Sequence, residues 1–215
     1  MRAYDYLSLA QGAAVTVSLS LVGISLGVPI GLALALVRWS GVPVLAQLVA
    51  AYVSVLRATP LVTLALLVFF ALPNVGVPID PVPAAILTLA MNTSAFNCEI
   101  WRAALSDFPR AQLDAATAAG MTPGLGFRRI VFPQIWRVSL PALVNEMTLL
   151  IKSSPAIAVV GIVDITRAAV RIGAQTYEPL PPFLAATALY FLVVLGFVRA
   201  QRSIEVHLDR KFGFA

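Results

Sequence analysis

The sequence predicts an all-α integral membrane protein with five transmembrane helices, and three observations support that expectation. Apolar residues make up 60% of the chain and charged residues only 12%, against roughly 45–50% and 25% in soluble domains. The mean hydropathy is +0.89. Uncharged stretches of Leu, Val and Ala recur at close to the ~20 residues that cross about 30 Å of hydrocarbon as a helix.

Taken in order, the apolar runs between breakers place spans at about 13–37, 48–72, 82–101, 139–163 and 183–200. Met1 to Gln11, with Arg2, Tyr4, Asp5 and Tyr6, reads as an interfacial lead-in to a retained first helix, because the apolar run starts too late and runs too long for a cleaved signal. Within the first span Gly23, Gly27 and Gly31 recur every fourth residue. That small face suits close helix packing, either inside the subunit or at a dimer contact. Arg57 and Pro60 interrupt the second span, which is expected as a tilted amphipathic entry followed by a kinked helix. At the inner end of the third, Glu99 and Arg102 are i,i+3 neighbours and are expected to pair. Pro73 to Pro81 and Asp164 to Pro182, each with three prolines or more, read as stiff outer connections. Residues 1–215 together read as a single transmembrane domain, with one extended inner connection at about 102–138.

Orientation follows from the basic residues, because cytoplasmic loops carry the excess of Lys and Arg. An outside amino terminus puts Arg38, Arg57, Arg102, Arg110, Arg128, Arg129, Arg137, Arg199, Arg202, Arg210 and Lys211 inside, leaving Arg2, Arg167 and Arg171 outside. The amino terminus is therefore expected to be periplasmic and the carboxy terminus cytoplasmic.

Several function classes lack their parts. The net charge of +5 is not gathered on a soluble surface with stacking aromatics, so nucleic acid is not an expected partner. Cys98 is the only cysteine, which excludes an internal disulfide or a cysteine metal site. His207, in the charged tail, has no companion at ligand spacing. No serine, histidine and carboxylate set converges, and no Gly-x-x-x-x-Gly-Lys-Ser/Thr loop is present to cradle ATP. The chain is thus expected to be no enzyme and to hold no cofactor or metal of its own.

The inner connection has its own pattern. Asp114 to Ala119 is a run of good helix formers ended by Gly120, and Thr122-Pro123-Gly124 breaks it. A helix of two or three turns outside the membrane follows, with Phe127, Ile130, Val131 and Phe132 leading back toward the bilayer ahead of Pro133. On these residues alone it is either an interfacial helix or a small-residue surface that another protein approaches closely.

Asp114-Ala115-Ala116, then Gly120, Ile130 and Pro133, resembles the Glu-Ala-Ala, Gly, Ile, Leu-Pro pattern of permeases of binding-protein-dependent ABC importers, at matching spacing. Asp114 stands for the glutamate and Phe132 for the leucine. The resemblance spans nearly the whole chain and is nearest to the polar amino acid branch. Arg57-Ala58-Thr59-Pro60, Asn92 to Arg102, Pro133-Gln134 with Pro141, and Asn145-Glu146 to Lys152 are similar to that branch. Two further positions depart from it, Ala58 where glycine is usual and Lys152 to Ala156 where a Lys-Asp-Thr-Ser-Leu stretch is usual.

The resemblance implies a type I ABC importer permease in a bacterial inner membrane. A cytoplasmic coupling helix at about Gln112 to Met121 would rest in a groove of a separate ATPase, which binds the ATP and magnesium. A second permease subunit, identical or related, and a periplasmic solute-binding protein complete the assembly. Asp114, Ala115, Ala116, Gly120, Ile130 and Pro133 are the coupling residues it implies, and a polar amino acid or similar zwitterion is the cargo. Histidine, arginine, glutamine, glutamate, cystine and an osmolyte all remain open.

Charges at membrane depth cost about 2.5–3.5 kcal/mol at a helix centre, so each must face protein or water. Glu146 and Lys152 are six residues apart on one expected helix, too far round to pair directly. They, with Asn92 and Asn145, are candidates either for a substrate path or for structural pairing. An ion-coupled carrier or channel using Glu146 and Lys152 is the alternative from another class, and a membrane scaffold without a path is a third.

Overall fold

The computed structural model describes residues 2–212, and every regular element among them is helical. In chain order these are α1 (Ala3–Trp39), α2 (Pro43–Ala58), α3 (Leu61–Asn74), α4 (Pro81–Ser106), α5 (Arg110–Ala118), α6 (Pro123–Gly126), α7 (Phe132–Ser153), α8 (Ile165–Thr176) and α9 (Leu180–Phe212). A π turn, Phe127–Val131, joins α6 to α7, and a 3₁₀ segment, Ser154–Val160, follows α7. The side chains of His207, Arg210 and Lys211, read from the sequence as a charged helix end, lie outside the described residues.

Among the described residues, three helical stretches are long and apolar enough to cross a membrane: Ala3–Trp39, Pro123–Val160 and Leu180–Ala200. A fourth exists if α2 and α3 form one broken span. The break falls where Pro60 lacks an N–H and disfavours helical backbone at Thr59. The expected third span is the 26-residue α4. It is long enough, but its middle turns carry Asn92, Thr93, Ser94 and Asn97, all buried in the protein, and this polarity keeps it out of the apolar set.

Two segments depart from the expected pattern. The lead-in before Gln11 is the first part of α1, at whose start the Arg2 amide donates to the Asp5 carboxylate at 2.6 Å. Asp164 to Pro182 is not a stiff loop but mostly helix α8. Its apolar residues Ile165, Ala168, Ala169 and Ile172 repeat at helical spacing and are buried, and Asp164 caps it by accepting the Arg167 amide at 2.9 Å.

Two compact units can be separated. One comprises the described residues up to Ile24, Thr59–Ala90, and those from Met147 onward. Its core gathers Leu9, Ile165, Ala168, Ala169, Ile172 and Ala186. Asp164 is fully buried, and its second carboxylate oxygen accepts the Tyr190 hydroxyl at 3.1 Å. Close approach in this unit is set by small residues: a Cβ on Gly12 would lie 2.8 Å from the Asp164 carbonyl oxygen, and one on Gly23 2.7 Å from Leu89 Cβ.

The other unit comprises Ser25–Ala58 and Met91–Glu146. Here Gly31 lets α1 lie against α4, where a Cβ would meet Asn97 Cβ at 2.9 Å and backbone atoms of Ser94 and Cys98 at 3.0 Å. Gly23 and Gly31 therefore pack within the subunit. Trp101 donates its indole N–H to the Val28 carbonyl at 3.3 Å and stacks on Trp136 at 5.8 Å between centroids. Tyr52 and Ser94 share a hydrogen bond of 2.9 Å that ties α2 to α4.

Candidate coupling and translocation site

The inner connection is built by helix termination. α5 is too short to be stable alone, so its ends are fastened. Gly120 adopts φ +75°, the Gly120 amide donates to the Thr117 carbonyl at 2.9 Å, and the Met121 amide donates to the Ala116 carbonyl at 3.0 Å. This is a Schellman ending, which favours glycine because other L residues pay for the left-handed conformation. Thr122 then caps α6 through its hydroxyl, which accepts the Leu125 amide at 3.4 Å.

The helix starts and ends close to the expected Gln112 to Met121, as Arg110–Ala118. Asp114, Ala115 and Gly120 are exposed, whereas Ala116 is buried, with its methyl facing Gly126. Ala116 thus holds α5 on α6 and does not offer an outer surface. Gln134 donates from its amide to Gln112 at 2.7 Å, a bond between α7 and α5 that the sequence reading did not anticipate.

Ile130 and Pro133 sit at the π turn. Proline has no N–H to give the Arg129 carbonyl and crowds it. The chain accommodates this by slipping to the wider turn, in which the Phe132 amide reaches the Phe127 carbonyl. Trp39, Phe127, Phe132 and Trp136 follow one another with centroids 6.4, 6.0 and 6.3 Å apart. They form an aromatic seam from the end of α1 to the first turns of α7.

The charged residues of this unit meet around α4. Glu99 pairs with Arg102 at 3.0 Å, as the spacing predicts, and also with Arg38 at the end of α1. The second pairing was not legible, because Arg38 and Glu99 are far apart in sequence. A cavity of about 550 Å³ is lined by Arg57, Phe96, Glu99, Arg102, Asp107, Ser139 and Glu146 among others. Arg57 lies over the Phe96 ring at 5.3 Å, a cation–π geometry. The structure thus brings Glu146 and Arg57 to one cavity.

The other expected path residues do not line it. Asn92 is buried in α4, Asn145 is exposed on α7, and Lys152 is exposed near the end of α7. No group of three or more potential metal-ligating side chains occurs among the described residues.

These features belong to a known class. Residues 27–210 match the family described as binding-protein-dependent transport system inner membrane component, and the chain belongs to that family. It is 33% identical over 198 residues to the arginine transport system permease protein ArtQ of Bacillus subtilis (strain 168), covering 92% of this chain and 90% of the relative. It is 32% identical over 203 residues to the L-cystine transport system permease protein TcyB of the same organism, covering 94% and 87%. Among solved structures, a chain from the crystal structure of an amino acid ABC transporter with histidines superposes with a TM-score of 0.84 at 32% identity, covering 94% of both.

The chain is accordingly the multi-pass membrane permease of an ABC importer, a translocation component and not the ATPase. The ion-coupled carrier reading is not supported.

Proposed function

We propose that the chain forms half of the translocation path for a polar amino acid and takes its drive through α5 from a separate ATPase. The observation that supports this most directly is the construction of α5, a short helix clamped at Gly120, Ala116 and Gln112. Its outer face of Asp114, Ala115 and Ala118 is left exposed. A rigid, small-faced helix joined closely to α4 and α7 can convey a partner's movement to both as a shift between discrete states.

In this reading the whole chain is one permease domain with five spans, α2 and α3 forming one of them and α4 another. Its amino terminus is periplasmic and its carboxy terminus cytoplasmic, in line with the distribution of arginines. ATP and magnesium are held by the ATPase, since the sequence contains no phosphate-cradling loop. A second permease subunit, a periplasmic binding protein and the bilayer complete the assembly.

The cargo is an amino acid, a reading supported by the similarity to arginine and L-cystine permeases and to a solved amino acid transporter. Glu146 lines the path, with Arg57 near it. Asn92, Asn145 and Lys152 are carried as path residues on their polarity at membrane depth alone.

The test is uptake and ATP hydrolysis in proteoliposomes holding the complete importer, comparing wild type with Ala115→Trp. Uptake should fall strongly because the bulky ring lifts α5 from its partner. Unimpaired uptake with normal ATP consumption would remove the role given to α5.

A further inference from the structure

A second cavity, of about 630 Å³, opens between the end of α1, α2 and the α4–α5 junction. Its charges do not balance. Arg38, Arg102 and Arg110 line it against a single carboxylate, Asp114. Glu99 adds one more negative charge next to it, but its two oxygens are already engaged, one by Arg38 and the other by Arg102 at 3.0 Å. Three guanidiniums against two carboxylates leave one positive charge over.

The rest of the lining is amphipathic. Trp39, the last residue of α1, is 42% exposed and stands with Ala46, Ala50 and Leu105, while Gln47 supplies an amide. An indole at the end of a membrane-length helix is placed as such rings are at the headgroup level. Guanidinium forks match phosphate oxygens in pairs, and a phosphodiester carries the one negative charge that the lining lacks.

We propose that this cavity binds a phosphate group on Arg38, Arg102 and Arg110, presented either by a phospholipid headgroup or as the free anion. The site adjoins the cavity around Glu146, with Arg102 lining both, and it does not depend on the transport reading, because the readout is binding.

The test uses the purified full-length chain, stripped of lipid. Phosphatidylglycerol and a diacylglycerol of the same chains are added separately and retention is read by native mass spectrometry. Inorganic phosphate is titrated calorimetrically. The phosphate-bearing lipid should be retained over the diacylglycerol, with about tenfold weaker binding in Arg110→Gln, which loses one charge-assisted contact, and in Ala50→Glu, which sets a carboxylate against the phosphate. Asp114→Asn should bind more tightly, a gain that a misfolded chain does not produce. If inorganic phosphate shows this variant pattern and the lipid does not, the ligand is the free anion. Retention of neither ligand, or equal binding by wild type, Arg110→Gln and Ala50→Glu, overturns the proposal.

Discussion

Two glycines that look alike in the sequence do different things, and substitution separates them. Gly120 has φ +75° and open space where a Cβ would stand. Gly120→Ala should therefore cost about 1–2 kcal/mol through backbone strain alone, and Gly120→Asn should cost less because asparagine visits the left-handed region. Gly31 has ordinary helical backbone but no room, with Asn97 Cβ 2.9 Å from the missing Cβ. Gly31→Ala should cost about 1–3 kcal/mol by overpacking, and Gly31→Asn more still. Thermal unfolding in detergent reads all four variants, and the opposite ranking of asparagine and alanine at the two sites is the diagnostic. The spacing of Gly23, Gly27 and Gly31 made a small face legible in the sequence. That this face turns inward for Gly23 and Gly31 was not, because spacing does not say which neighbour lies opposite. The same limit applies to Glu99: Arg102 was legible one turn away, whereas Arg38 needed the fold.

At the scale of elements, α8 shows what proline-based reading misses. Asp164 and the repeat of Ile165, Ala168, Ala169 and Ile172 are a cap and a helical stripe, and the prolines that follow carry the opposite, loop-like signal. The helix is fixed by its N-cap: Asp164 accepts both the Arg167 amide and the Tyr190 hydroxyl. Asp164→Ala should lose about 2–3 kcal/mol, a cap plus a buried hydrogen bond. Asp164→Asn should lose less, since one oxygen keeps the cap. A double-mutant cycle with Tyr190→Phe, read by unfolding, should show a non-zero coupling energy, and simple additivity would contradict the shared bond. The π turn belongs at this scale too. Pro133→Ala supplies the missing N–H, which removes the reason for the wide turn. The helix should become regular and rotate what precedes it by about 100°. Gln112 in α5 would then leave Gln134 in α7. The expected outcome in the complete importer is ATP hydrolysis that continues while uptake falls, measured side by side in proteoliposomes.

For the molecule as a whole, the open question of topology turns on α2 and α3, a pair that either spans the membrane or enters and leaves on one side. The basic residues of the inner connection argue for spanning. If the pair did not cross, 102–138, with its arginines, would move to the side opposite the end of α1, against the usual bias. Cys98 is the only cysteine and is buried, so single introduced cysteines can be labelled with a membrane-impermeant maleimide against a quiet background. Val75 is 74% exposed after α3, and Gln175 is exposed near the end of α8. Ser40 and Thr117 are exposed at the end of α1 and on α5. Val75→Cys and Gln175→Cys should react in intact spheroplasts, whereas Ser40→Cys and Thr117→Cys should react only after the membrane is opened. Labelling of Val75→Cys together with Ser40→Cys, both only after opening, would make the pair re-entrant and reduce the spans to four. With the end of α1 inside, α5 would then have to lie on the outer side, an arrangement for which the arginine count leaves no physical basis.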